Sequence, residues 1–141
     1  MKNPFIIIGF IILAGIIAYA ALGSQSDNTS QNESTNLNWH TDLDSALVEA
    51  KQTNKPVFID FYTTWCAYCK QLDETTLSDP RVQEKLSKNY VVAKIDADKY
   101  PDIASNYKIY GYPTLLVLDS NGVEIKRIEG YVDSNTLLNQ L

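Results

Sequence analysis

Cys66 and Cys69 are the two cysteines of this 141-residue chain, and they stand at i and i+3 within Asp60-Phe61-Tyr62-Thr63-Thr64-Trp65-Cys66-Ala67-Tyr68-Cys69-Lys70. Two thiols at that spacing, at the start of a helix, can close a small disulfide ring and reopen it, which is the chemistry of thiol–disulfide exchange. Cys66 would sit where unpaired backbone N–H groups and the helix dipole favour a thiolate. In Cys-x-x-Cys motifs the first pKa falls to about 3.5–7.5, against ~8.5 for free cysteine. Cys66 is therefore the expected nucleophile toward a substrate disulfide, and Cys69, one turn further in, the expected resolving thiol. Ala67 and Tyr68 shape the turn between them and are expected to tune the redox potential. Two cysteines are too few for a disulfide scaffold. They are also too few for a four-ligand structural zinc site, and the single histidine, His40, lies well upstream. Lys70 rather than histidine follows Cys69, so the c-type haem attachment pattern is absent.

Three further features bear on that chemistry. Asp60 lies six residues before Cys66, in the middle of an apolar run. A carboxylate there is costly unless its pKa rises or a partner offsets its charge. Beneath a dithiol, a raised-pKa aspartate can act as general base for Cys69; the alternative is an aspartate at a strand edge facing water. Lys94, in a second apolar run, could be the buried counter-charge, although an exposed lysine is the commoner arrangement. Gly111-Tyr112-Pro113-Thr114 immediately precedes a third run. Its X-Pro bond can be trans in a turn, as most are. A cis bond would instead present the Tyr112 backbone N–H and C=O to an extended substrate chain.

The elements that must position these residues follow from the pattern. Leu43, Ala46, Leu47 and Ala50 recur at i, i+3, i+4, i+7, which predicts an amphipathic helix capped by Thr41 or Asp42 and broken at Asn54-Lys55-Pro56. Val57 to Tyr62 is a nearly continuous apolar run, as expected of a strand covered on both faces. A helix follows from about Cys66 to Thr76. Asp79-Pro80 supplies a cap and a first-turn proline for another helix, Arg81 to Lys88. Tyr90 to Asp96 is a second strand, Asp102 to Tyr107 a short helix, and Thr114 to Leu118 a third strand. Asp119-Ser120-Asn121-Gly122 turns the chain into a fourth, Val123 to Glu129. Past Gly130, Ser134 to Leu141 forms a closing helix capped by Asp133 or Ser134. Strands alternating with helices, then a hairpin, predict an α/β fold with a central mixed sheet flanked by helices on both faces.

The chain divides into three parts: 1–23, 24–38 and 39–141. Pro4 to Gly23 is free of charge and, as a helix at ~1.5 Å per residue, spans roughly a 30 Å hydrocarbon core. It is expected to be an N-terminal transmembrane helix. Lys2 precedes it while Asp27 and Glu33 follow, so the N-terminus is expected in the cytoplasm and the remainder outside. The rival is a cleaved signal peptide ending at Ala18-Tyr19-Ala20, which would leave a secreted domain. Ser24 to Asn38 holds one apolar residue, Leu37, and reads as a flexible tether; Asn28 and Asn32 within it match the glycosylation acceptor pattern. Net charge is -5, with no basic patch, which argues against a nucleic-acid partner.

Trp65-Cys66-Ala67-Tyr68-Cys69-Lys70, Asp60, Lys94, Gly111-Tyr112-Pro113-Thr114 and Gly130 resemble the thioredoxin family, in its order and at about its spacing, over roughly Trp39 to Leu141. The resemblance implies a thioredoxin-like fold with a five-stranded mixed sheet, so that the neighbourhood of Trp39 would add a strand. It implies Cys66 as nucleophile, Cys69 as resolving cysteine in a Cys66–Cys69 disulfide, Asp60 as buried base, Lys94 as its partner, and a cis-proline loop at Tyr112-Pro113. Trp65, Gly111, Tyr112 and Pro113 would then meet the substrate. Ala67-Tyr68 departs from the Gly-Pro of cytosolic thioredoxins. Leu77-Ser78-Asp79-Pro80-Arg81-Val82 is also similar to the C-terminal domain of the transmembrane reductase DsbD and related exported thioredoxin-like proteins, which carry electrons outward to oxidised proteins.

The expected function is a membrane-tethered, extracytoplasmic protein-disulfide reductase contributing to redox homeostasis. It would act on protein disulfides as a monomer, without cofactor or metal, and draw on a membrane or soluble electron donor. The competing readings are an oxidase or isomerase of exported proteins, and a thiolate metal-binding module.

Overall fold

Four strands and five α-helices are built by residues 37–141, the part that the computed structural model describes. The expected membrane segment, Asn28 and Asn32, and the tether up to residue 36 lie outside the described residues. Among the described residues no helix is long and apolar enough to cross a membrane. Leu37, assigned to the tether by composition, is buried among core residues, so packing begins two residues before Trp39.

Strand β1 (Val57–Tyr62) is central. It pairs in parallel with β2 (Val91–Asp96) and antiparallel with β3 (Thr114–Leu118), and β3 pairs antiparallel with β4 (Glu124–Glu129), giving the order β2-β1-β3-β4. A parallel pair needs a long crossover, and the segment between β1 and β2 that supplies it also carries the cysteines. The β3–β4 turn is closed by Asp119, whose Oδ1 accepts the N–H groups of Asn121 at 2.8 Å and Val123 at 2.9 Å. Gly122 takes φ +85 there, a region that suits glycine. Val123 therefore belongs to the turn, and the fourth strand starts one residue later than its pattern predicts.

The resemblance implies five strands, and the described residues form four. Near Trp39 the chain makes a single parallel bridge, His40 to Ala93, through His40 N–H to Val92 O and Lys94 N–H to His40 O, both 2.9 Å. Asp42 then diverts the chain into a helix before a strand can extend: its carboxylate accepts the Ser45 N–H and caps α1 (Leu43–Thr53).

Alternation along the strands sends residues to two apolar layers. Val57, Ile59 and Phe61 face Leu43, Ala46 and Ala50 of α1 and Ala104 of α4 (Pro101–Asn106). Phe58, Val92 and Leu115 face the other layer: Leu72 of α2 (Ala67–Leu72), Val82 and Leu86 of α3 (Pro80–Asn89), and Leu137 of α5 (Ser134–Gln140). Complete burial of residues such as Phe58, Leu72 and Leu86 contributes roughly 1.5–3 kcal/mol each. Asp79 caps α3 through the Arg81 N–H, with Pro80 at the first helical position, as the sequence predicts.

One helix differs from its pattern. Instead of an α-helix through Thr76, α2 ends at Leu72 and passes into a π-helical turn, Asp73–Leu77. Thr75 and Ser78 each donate a hydroxyl to the carbonyl four residues back, on Gln71 at 2.8 Å and Glu74 at 2.6 Å. Such bonds compete with backbone pairing and loosen a helix. Thr76, fully buried, donates to Val132 O at 2.7 Å and ties the widened turn to the segment before α5.

Candidate active site

The cysteines sit where β1 hands over to α2. After Tyr62 the chain turns, with Cys66 N–H donating to Thr63 O at 3.3 Å, and Cys66 becomes the N-cap of α2. Cys66 and Cys69 are joined in a disulfide with their Cα atoms 5.3 Å apart. The Cys66 Sγ accepts the Cys69 N–H at 3.1 Å. That bond, with the free amides of the helix start, would equally stabilise a Cys66 thiolate. Cys66 is partly exposed, whereas Cys69 is 3% exposed. Of the two cysteines, Cys66 is the one that offers surface to a macromolecular disulfide.

Asp60 is wholly buried on the α2 side of the sheet, not at a water-facing edge. Lys94 is its register partner across β1–β2, and Lys94 Nζ lies 3.0 Å from Asp60 Oδ2. Asp60 Oδ1 has no hydrogen-bond partner among the described residues. Burial pushes the Asp60 carboxyl up from 3.8 to about 6, against the pull of the Lys94 ammonium; the Asp73 carboxylate adds to the rise. Lys94 also pairs with Asp73 of the π turn. The Trp39 and Tyr62 rings lie 5.3 and 5.5 Å from its ammonium. Burial pulls the Lys94 pKa down, the two carboxylates push it up, and the net direction is upward.

The Tyr112–Pro113 bond, at the start of β3, is cis. The loop is held by Thr114 Oγ1 donating to Gly111 O and by Gly130 N–H donating to Pro113 O, both 2.8 Å. Tyr110, Gly111, Tyr112, Thr114, Glu129 and Gly130 line a groove of about 370 Å³. A Cβ on Gly111 would meet nothing within 4 Å, so no close approach demands glycine there. Trp65 is 70% exposed; its Nε1 donates to Asp98 Oδ2 at 2.8 Å and its ring stands edge-on to Tyr112 at 6.0 Å. Ala67 and Tyr68 are exposed on the first turn of α2. Among the described residues no three His, Cys, Asp or Glu side chains are grouped to hold a metal.

Residues 43–141 match the family profile of the thioredoxin-like domain. The chain belongs to the thioredoxin-like family. Its fold is similar to the solution structure of a thioredoxin from Thermus thermophilus, with a TM-score of 0.67 and 28% identity over 74% of this chain and 83% of that one. It is also similar to the C-terminal domain of DsbD from Neisseria meningitidis in the oxidised form, with a TM-score of 0.61 and 25% identity over 72% of this chain and 95% of that one. In sequence the thioredoxin-like chain is 38% identical over 100 residues to the thiol:disulfide interchange protein DsbD of Escherichia coli (strain K12). The match takes in 67% of this chain and 17% of that protein, so the chain spans about a sixth of the length of that relative.

Within this thioredoxin-like site, four residues escape sequence reasoning. Asp73 reaches Lys94 from the π turn, a backbone form that no apolar periodicity signals. Trp39 reaches Lys94 only because the bridge at His40 lays the N-terminal segment beside β2. Asp98 meets Trp65 across a sequence distance without a local marker. Thr63, 2% exposed, follows β1 where no apolar pattern marks it as buried.

Proposed function

We propose that the protein is a membrane-tethered thiol–disulfide oxidoreductase that reduces protein disulfides outside the cytoplasm. The observation that carries this reading is the asymmetry of the pair. A partly exposed Cys66 is disulfide-bonded to a buried Cys69, and the strand that leads to them, β1, holds a buried Asp60 whose carboxyl is raised to about 6. Tethering rests on the charge-free run Pro4 to Gly23 followed by the polar 24–36 segment. The three-part layout of anchor, tether and thioredoxin-like domain follows from it, with the domain taken from Leu37.

In the dithiol form the Cys66 thiolate attacks a sulfur of the substrate disulfide. The substrate S–S bond breaks, a mixed disulfide forms, and one substrate thiolate leaves. Cys69 then loses its proton to the Asp60 carboxylate and attacks the Cys66 sulfur. The mixed disulfide breaks and the second substrate thiol departs. Two electrons have passed to the substrate, and the enzyme holds the Cys66–Cys69 disulfide until a donor dithiol re-reduces it. Lys94 keeps Asp60 ionisable within the protein. Trp65, Tyr112, Pro113 and Gly111 form the ledge on which an extended substrate segment lies, and Ala67-Tyr68 help set the potential. No cofactor or metal takes part, and the protein acts as a monomer.

The reductive direction is favoured by likeness to the DsbD domain. A reduction potential near the ~-270 mV of thioredoxin supports it; one near ~-120 mV supports the oxidase reading. The activity is tested with full-length protein, an oxidised protein substrate and dithiothreitol as electron source. Wild type accelerates disulfide reduction, and retention of that activity by Cys66→Ser would sink the mechanism.

A further inference from the structure

Four polar or charged residues are buried among the described residues: Asp60, Thr63, Thr76 and Thr114. The two threonines away from the cysteines satisfy their hydroxyls, Thr76 on Val132 O at 2.7 Å and Thr114 on Gly111 O at 2.8 Å. Thr63 does not. Its Oγ1 is shut away from solvent and finds no partner among the described residues, and it does not pair with the other unpartnered buried atom, Asp60 Oδ1. Leaving a buried hydroxyl unmade costs stability, and a valine of nearly the same shape would fill the position without that cost. The hydroxyl therefore calls for a partner in another state of the protein.

The state that changes here is the disulfide. Thr63 O is the acceptor for the Cys66 N–H, so Thr63 lies in the turn that carries the cysteine pair. While the S–S bond is closed, both sulfurs are weak acceptors and the Cys66 Sγ already takes the Cys69 N–H. Reduction by two electrons breaks the bond and, with proton uptake, leaves two thiols or a thiol and a thiolate. Each sulfur then gains acceptor strength or a donor. A buried hydroxyl needs a partner that is buried too, and of the two cysteines it is Cys69, a residue 3% exposed, that meets the requirement.

We propose that the Thr63 hydroxyl is a positioning group for the reduced site. It goes unpartnered in the disulfide form and bonds the Cys69 sulfur once the disulfide opens, so it biases the pair toward the dithiol. This rests on the thiol–disulfide reading above. Removing the hydroxyl shifts the equilibrium toward the disulfide, making the pair harder to reduce and the protein a stronger reductant.

The test equilibrates full-length wild type, Thr63→Val, Thr63→Ala and Thr63→Ser in glutathione buffers, two glutathione thiols being oxidised to one glutathione disulfide per Cys66–Cys69 bond reduced. The reduced fraction is counted by maleimide alkylation and mass spectrometry. Thr63→Val is expected to move the equilibrium about tenfold toward the disulfide, about 30 mV more negative for this two-electron couple. Its oxidised form should melt no lower than that of wild type, and Thr63→Ser should stay within about twofold of wild type. Thr63→Ala gives the same readout if valine is not accommodated. An unchanged equilibrium in a folded Thr63→Val or Thr63→Ala, or an equal shift in Thr63→Ser, overturns the proposal while leaving the exchange chemistry in place. A wild-type pair that does not titrate at all removes both.

Discussion

Lys94 Nζ stands 3.0 Å from Asp60 Oδ2, and Asp60 has no exposed surface at all. The contact follows from sheet register, since the two residues face one another across the parallel β1–β2 pair. The lysine offsets only part of the cost of burying the carboxylate, because its ammonium is shared with Asp73. The carboxyl is left near 6, high enough to take a thiol proton and low enough to be ionised at neutral pH.

The first consequence concerns stability. A folded-state value of about 6 against an ordinary 3.8 means that the native protein holds this proton more tightly than the unfolded chain does. That contribution to stability is complete below about pH 4 and is lost as pH rises through about 6. At about 1.4 kcal/mol per tenfold, the loss is on the order of 3 kcal/mol. Asp60→Asn should therefore be the more stable protein at pH 7.5, by about 2 kcal/mol, with the difference gone near pH 4. Urea unfolding at the two pH values checks this.

The same shift sets the pH dependence of resolution. If Asp60 is the base for Cys69, the decay rate of a mixed disulfide on Cys66 should rise with pH through about 6. Asp60→Asn should lose that rise and slow the step about 10²-fold at neutral pH. Asp73→Asn should move it to lower pH, because it removes a carboxylate that raises the Asp60 pKa and leaves Lys94 wholly to Asp60. Lys94→Met should move it to higher pH, because Asp60 loses its counter-charge. Stopped-flow decay of a preformed mixed disulfide follows all three.

Trp65 should serve substrate binding more than folding. It is 70% exposed, yet its indole is held by Asp98 at 2.8 Å and stands edge-on to Tyr112. Trp65→Ala should change unfolding free energy by no more than about 0.5 kcal/mol. It should raise KM for a protein disulfide by about tenfold with a smaller change in kcat, the pattern of binding lost equally in ground and transition states. Steady-state kinetics on a protein substrate, beside a denaturation curve, separate the two effects.

Much of this architecture is legible in the chain, for physical reasons. Apolar period reveals α1 through Leu43, Ala46 and Ala50. Continuous apolar runs reveal β1, β2 and β3, and Asp79-Pro80 marks the start of α3. What period cannot reveal is backbone that departs from it. The π turn at Asp73–Leu77 keeps helical composition while re-aiming Asp73 toward Lys94. Nor can it reveal contacts set by sheet register or by a single bridge. Whether Asp60 faced water or a lysine depended on how β1 and β2 align, and Trp39 approaches Lys94 only through the bridge at His40. Composition likewise assigns Leu37 to a polar tether, and tertiary contacts bury it.

The central claim is the division of labour between Cys66 and Cys69, and trapping tests it most directly. Reduced Cys69→Ser is incubated with an oxidised protein substrate, and the products are resolved by non-reducing mass spectrometry with peptide mapping. The account predicts a stable one-to-one mixed disulfide through Cys66, released by dithiothreitol, with little or no adduct from Cys66→Ser treated alike. An adduct through Cys69 in Cys66→Ser at a comparable rate, or none from Cys69→Ser, would contradict it.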